Sequence, residues 1–334
     1  MPRKKKPTIY DVAEKSGISI STISRVLNNP EKVNSETRAL VLDAIDKLGF
    51  VPKAEARARA LSNTNRIGVI TPFFTAPSFV QRLRGVASAL AVSNYELVIF
   101  TVESSDHIQG YLSSIPFTGN LDGLIVMSLP IQKKDAQRLI EHGIDTVLIE
   151  YSHPELNSIE IDNFQGGQMA AQYLLDKGHK RIAFIGDEEP HDFEIHPAGM
   201  RLKGFQAAIK KARIQSPNEY IRLFANTKEH AMQATRELLS LPTPPTAIFA
   251  AADIQAISAL KVTRELGIKV PEQLAVIGFD DIDSAEYLDL TTVRQHLDES
   301  GKLAVEILLT HIADPSRPPQ HVNLPLNIIE RQTT

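Results

Sequence analysis

The 334-residue chain contains no cysteine. Disulfides and cysteine-based metal sites are excluded, and the absence fits a reducing compartment. No apolar run approaches the roughly 20 residues needed to cross a bilayer. The N-terminus is basic but has no apolar h-region, so a secretion signal is not expected; the expectation is a cytoplasmic protein with no membrane partner. The common catalytic frameworks are missing too. There is no G-x-G-x-x-G after a strand, no G-x-x-x-x-G-K-[ST], no G-x-S-x-G and no H-E-x-x-H. "HDFEIH" at 191–196 gathers two His, an Asp and a Glu. It lacks helical i, i+4 spacing and reads as a polar loop after a strand. No metal, no cofactor and no catalytic residue is expected.

Net charge is small as well, at −4, but it is unevenly placed. Residues 1–62 hold 12 Lys/Arg against 7 Asp/Glu, a net of +5, and the rest carries −9. The leader "PRKKKP" sits beside "TIYDVAEKSGISISTISRVLN" at 8–28. Thr8 suits an N-cap, with Asp11 in a capping-box-like position. Ile9, Val12 and Ala13 share one helical face, and Gly17 suits a left-handed helix end. Ser19 can cap a second helix striped by Ile23, Val26 and Leu27. Asn34 can cap a third, lined by Thr37, Val41, Ala44, Ile45 and Leu48 and stopped by Gly49 and Pro52. Two short helices joined by about four residues make a helix-turn-helix. Beside it, the basic leader reads as an arm that neutralises phosphates.

Residues 49–65, "GFVPKAEARARALSNTN", read as a linker with high helix propensity and little to bury. Such a segment is marginal alone and suited to folding on a partner. From Arg66 the texture alternates between short β-branched runs and helical patterns, which implies parallel sheet. The alternation occurs twice. "RIGVI" (66–70), "RLRGVASAL" (82–90) and "DGLIV" (122–126) are answered in order by "RIAFI" (181–185), "RLKGFQAAI" (201–209) and "TAIFA" (246–250). Two similar α/β lobes are expected, with a ligand cleft near the carboxyl ends of their strands.

The ordered series "TIYDVAEKSGISISTISRVLNN", "VNSETRALVLDAIDKLGFVP", "IDNFQGGQMAAQYLLDKGHKRIAFIG", "RLKGFQAAI" and "LAVIGFDDIDSAEYLDLTTVRQ" resembles the lactose-repressor (LacI/GalR) family of bacterial transcription regulators over essentially the whole chain. The resemblance implies an α/β protein with an all-α helix-turn-helix headpiece at 1–48 and a hinge at 49–64. A bilobed, periplasmic-binding-protein-like domain of two doubly wound parallel sheets would fill 65–334. Lobe 1 would take about 66–161 plus 292–320, and lobe 2 about 162–291 plus 321–334. Matching positions make Ile20, Ser21 and Arg25 the base-edge readers in the major groove. Arg can read guanine through two bonds, whereas Ile can meet only apolar groups such as the thymine methyl. Thr8, Tyr10, Ser19, Thr22, Asn28, Asn34 and Thr37 would position the module on phosphates. For these the plain alternative is capping or ordinary surface polarity, and for Asn34 and Thr37 both roles can hold.

Two departures from the family pattern stand out. Where a hinge leucine usually wedges into the minor groove, this chain has Arg59, with Leu61 two residues on. Either Leu61 serves from a shifted helix, or Arg59 enters the narrow groove electrostatically. In the cleft, Arg201 and Asp280 match the pair that grips sugar hydroxyls, and Glu150 stands where a cleft Asp is common. The frequent "AND" triplet is here "AAAD", so Ala252 replaces an amide. Phe73, Phe74 and Phe224 lie near strand ends, suited to stacking or to core packing. For Arg201 and Asp280 the plain alternative is a structural ion pair with each other.

The expected function is sequence-specific, effector-controlled binding of a double-stranded DNA operator by a homodimer, with repression the expected sign. The expected effector is a sugar, with a nucleobase or nucleoside as the alternative. A sugar-binding protein of the same fold is disfavoured by residues 1–62, and a sugar-processing enzyme by the missing catalytic constellation. "PLNIIERQTT" carries no leucine heptad, which favours a dimer over a four-chain assembly.

Overall fold

A computed structural model describes residues 7–28, 30–50, 64–188, 195–214, 217–225 and 227–334. The chain divides into two compact units. One comprises Met1–Phe74, Ala87–Ser158 and Leu303–His321; the other comprises Thr75–Val86, Ile159–Lys302 and Val322–Thr334.

The first unit opens with three short helices, α1 (Ile9–Ser16), α2 (Ile20–Asn28) and α3 (Ser35–Leu48). Local chemistry sets their ends. The Asp11 carboxylate accepts from both the Thr8 N–H (2.6 Å) and the Thr8 hydroxyl (2.7 Å). Gly17 closes α1 at φ 70°, a conformation that costs glycine little. Ser19 Oγ accepts from the Thr22 N–H at 3.3 Å, and Asn34 Oδ1 accepts from the Thr37 N–H at 2.7 Å. The anticipated stripes meet: Val12, Ile23, Val26, Leu27, Val41, Ala44 and Ile45 are buried together.

Six strands form the first sheet: β1 (Arg66–Pro72), β2 (Glu96–Val102), β3 (Gly123–Met127), β4 (Asp145–Ile149), β5 (Asn157–Glu160) and β11 (His321–Asn323). Their order is β11-β5-β4-β3-β1-β2. Helices α4 (Pro77–Leu90), α5 (Ser105–Thr118) and α6 (Lys133–Glu141) connect them in chain order.

The second sheet uses β6 (Ile182–Asp187), β7 (Ile221–Phe224), β8 (Ala247–Ala250), β9 (Ala275–Asp280), β10 (Thr291–Arg294) and β12 (Asn327–Ile329). Its order, β12-β10-β9-β8-β6-β7, repeats the first when β1–β5 are replaced by β6–β10 and β11 by β12. β6–β10 pair in parallel, and β12 runs antiparallel to β10. The similarity of the two halves seen in the sequence is thus a duplicated topology. "EYIRLF" is shorter as a strand than its sequence suggests, because Asn218–Tyr220 form a 3-10 turn before β7.

Strand alternation explains why this sheet is covered on both faces. Ile182, Phe184, Phe249, Ile277 and Phe279 face α7 (Asn163–Asp176) and α8 (Pro197–Lys211), whereas Ala183, Ile185, Ile248 and Val276 face α9 (Lys228–Leu239) and α10 (Asp253–Leu266). Parallel strands buried on both sides need apolar residues at successive positions. Phe184, Phe205 and Phe249 pack with ring centroids 5.3–6.2 Å apart, and burying each ring contributes roughly 1.5–3 kcal/mol. The short α11 (Asp283–Tyr287) and the long α12 (Leu297–Ala313) complete the chain.

Candidate functional site

The headpiece presents one polar face. Tyr10 is 71% exposed and Ile20 39% exposed, and Ser21 and Arg25 also point to solvent. Ile23, Val26 and Leu27, on the other side of α2, are buried. The 3.6-residue period separates the two sets. Ser19, Ser21 and Thr22 share hydroxyl contacts of 2.9–3.0 Å at the start of α2. Asn34 is exposed, and Thr8 and Thr37 are half-buried. Thr8, Ser19 and Asn34 all act at helix starts, so capping is one role each performs. Asn28 ends α2. Arg59 and Leu61 lie outside the described residues.

At the carboxyl ends of the first sheet, register brings side chains together. Met127 pairs with Ile149, so Ser128 and Glu150 follow side by side. Both have positive φ, 54° and 64°, and the Ser128 hydroxyl donates to the Glu150 carboxylate. Phe73, at φ 44° after β1, is 54% exposed, and Phe74 is 42% exposed. Neither ring belongs to the core of its unit.

The second unit has a denser set. Arg201 and Asp280 are both buried, at 5% and 7% exposure. Their closest approach is 3.7 Å, longer than a charge-assisted hydrogen bond. The Arg201 guanidinium donates to the Ala251 carbonyl (2.6 Å) and to Asn163 Oδ1 (2.8 Å), and lies 3.6 Å over the Phe279 ring. Asp280 accepts from Gln295 Nε2, and Gln295 Oε1 accepts from Arg82 at 3.0 Å. The two thus form a buried ion pair, and each has further partners of its own. Phe224 ends β7 and is partly packed on the core, so for this ring the core reading holds in part.

Sequence reasoning missed several neighbours of this set. Asp253 is fully buried beside it and accepts from the Thr292 hydroxyl (2.5 Å) and the Ile282 N–H (3.0 Å). Burial first, and the nearby Asp280 charge second, push its carboxyl well above the usual carboxylate range. Gln255 donates to Asp187 at 2.5 Å, and its Oε1 has no partner among the described residues. Asn163, Gln255 and Gln295 carry no distinguishing pattern; only the fold of the second unit collects them. Ala252 begins α10 without a side-chain cap, the local consequence of the lost amide.

A pocket of about 260 Å³ also opens in the second unit, lined by Arg84, Asp280, Asp283, Arg294, Asp298 and others. Each of its three guanidiniums meets a carboxylate. Arg84 bonds both Asp283 and Asp298, which raises its pKa, and Asp281 bonds Arg294 (2.6 Å) and Arg331 (2.8 Å). Of the "HDFEIH" stretch, 191–194 lie outside the described residues, and His196 stands at the N-cap of α8. Among the described residues no group of three or more His, Asp or Glu is placed to hold a metal.

A duplicated α/β fold with a helix-turn-helix in front of it narrows the choice, and comparison decides it. Residues 8–53 match the family "Bacterial regulatory proteins, lacI family", and 171–334 match "Periplasmic binding protein-like domain". The ribose operon repressor of Escherichia coli (strain K12) is 31% identical over 97% of this chain and 98% of its own length. The chain belongs to the lacI family of bacterial regulatory proteins. The HTH-type transcriptional repressor PurR of Escherichia coli O139:H28 is also 31% identical, over 98% of this chain and 96% of its own. Among solved structures, a transcriptional regulator CelR–cellobiose complex superposes with TM-score 0.71 at 28% identity, covering 98% of this chain and all of that one. A LacI-family regulator from Enterococcus faecium with bound ribose gives 0.70 at 28% identity over 80% of this chain and 98% of its own. The lacI-family chain is a DNA-binding transcription regulator under small-molecule control, not an enzyme. Among its described residues, no helix is long and apolar enough to cross a membrane.

Proposed function

We propose that this regulator is a cytoplasmic, homodimeric repressor that reads a pseudo-palindromic operator through Ile20, Ser21 and Arg25 and takes a sugar as its effector. The observation that carries the sugar reading is the Arg201–Asp280 pair. Both groups are buried, they form an ion pair at 3.7 Å, and each is also oriented by further partners. A guanidinium can donate to two adjacent hydroxyls and a carboxylate can accept from two more, so together they suit a polyol. Glu150, Phe73, Phe74 and Phe224 complete the proposed effector set. The sugars held by two solved relatives point the same way. The exposed Phe73 and Phe74 rings favour a second reading, stacking on a nucleobase.

The positioning residues Thr8, Tyr10, Ser19, Thr22, Asn28, Asn34 and Thr37 would fix the headpiece on phosphates, and Arg59 or Leu61 would act in the minor groove. A dimer follows from the geometry of reading: one short helix covers a half-site, and two-fold symmetry doubles it. Effector control requires unequal affinity for the operator-competent and operator-incompetent states. Calorimetry against monosaccharides, disaccharides and nucleosides tests the effector class. Arg201→Ala is expected to weaken the effector at least about tenfold, about 1.4 kcal/mol, with operator affinity in the absence of effector nearly unchanged. Normal effector binding by both Arg201→Ala and Asp280→Ala would place the pocket elsewhere.

A further inference from the structure

The headpiece does not stand clear of the first unit. Phe117, in the last turn of α5, has no exposed surface, and it is buried within the headpiece core with Val26, Leu27 and Ile45. His142 packs edge-on against its ring, with centroids 4.4 Å apart. Beside this plug, Arg138 of α6 donates to Asp46 of α3 at 2.5 and 3.3 Å, while also meeting Asp135 at 3.5 Å. The Arg138 side chain is only 7% exposed. Such a buried guanidinium needs its counter-charges, since losing one leaves an uncompensated ion. Arg38 of the headpiece, itself nearly buried, approaches Asp106 of α5 at 3.9 Å.

The two ion pairs run in opposite senses. The cation comes from the α/β part in one and from the headpiece in the other, an arrangement that selects one orientation and opposes others. An apolar plug alone would allow sliding. In this docked position Tyr10, Ile20, Ser21 and Arg25 remain on the open side. Neither Phe117, Arg138 nor Asp46 has a role in the DNA or effector sets above.

We propose that the headpiece is docked on the first α/β unit in the free protein, with Phe117 as the plug and the Arg138–Asp46 and Arg38–Asp106 pairs as reciprocal latches. The reading helix is then presented in a set orientation instead of swinging on its tether. The docking is a property of the chain without DNA, so its failure and the failure of the operator reading are distinguishable. It also gives the α/β part a contact route to the reading helix besides the covalent one.

The absence of cysteine makes the test direct. Glu36→Cys in α3 and Gln137→Cys in α6 place two spin labels on exposed positions across the contact. Full-length labelled chain is diluted with unlabelled chain, so that distances within one chain are read, without DNA or effector. A single narrow distance distribution is expected, and Asp46→Arg should widen it at least about twofold. Asp46 is half-exposed on the headpiece surface, so this variant keeps both cores intact; its unfolding transition checks that. A broad distribution in the otherwise unaltered chain overturns the proposal, as does one that Asp46→Arg leaves equally narrow.

Discussion

Arg25 and Arg201 place the same side chain in opposite environments. Arg25 is exposed on α2, so its planar fork is free to meet a base edge. Arg25→Ala should cost about 1–3 kcal/mol on the cognate operator and little on random DNA, measured by titration of labelled duplexes. Equal losses on both would assign Arg25 to phosphate or to the fold. Arg201 is buried, and its carbonyl and amide acceptors leave the guanidinium aimed beside Asp280. Asp253 behaves differently again. Its raised native pKa, caused by burial and then by Asp280, means that the folded state holds this proton more tightly than the unfolded chain. Its contribution to stability therefore falls as pH rises from the unfolded value through the native one. Asp253→Asn should remove that slope. Denaturant titrations at a series of pH values above 4 should show a flatter dependence than wild type, and an identical slope would mean that Asp253 is already ionised.

At the scale of elements, close helix crossings depend on glycine. A Cβ on Gly204 of α8 would lie 2.0 Å from the Phe164 carbonyl of α7, and one on Gly167 would lie 2.0 Å from the Arg201 carbonyl. The same device recurs where α4 meets α12: a Cβ on Gly85 would lie 2.1 Å from the Asp298 carbonyl, and one on Gly301 2.1 Å from the Arg82 carbonyl. Gly204→Ala must separate α7 from α8. The expected loss is about 1–3 kcal/mol of stability, read by chemical denaturation, with weaker effector binding because Arg201 lies one turn away. The repeat of "RLRG" in "RLKG" announces paired helices in the sequence. Their crossing partners Gly301 and Gly167 belong to segments far away in the chain, so no local pattern reveals them. The headpiece helices are legible because their caps and stripes are local, and Thr8, Asn34 and Gly17 act within one turn.

For the whole molecule, charge distribution outweighs the total. A headpiece segment of +5 ahead of a remainder of −9 concentrates attraction for DNA at one end and disfavours non-specific wrapping by the rest. Operator affinity should fall roughly 1,000-fold or more between 50 and 200 mM salt if six or more phosphates are contacted, while effector affinity changes little. Binding measured across that range checks both, and a flat operator response would contradict a phosphate-anchored headpiece.

What the sequence determined by itself is whatever short-range physics controls. Cap chemistry, helix period and β-branched runs delimit the headpiece helices and most strands, and the ordered repeats imply two like halves with a common topology. Positions 201 and 280, matched to the family pattern, mark a candidate effector-binding pair without the fold. Tertiary structure alone decided what holds that pair. Asn163, Ala251, Gln295 and Arg82 reach it only because strand register and helix crossing bring distant segments together. It also decided that Phe73 and Phe74 stay exposed while Phe117 is buried in the headpiece core. All three are phenylalanines at the ends of elements in the same unit, and an isolated aromatic carries no information about which surface will cover it.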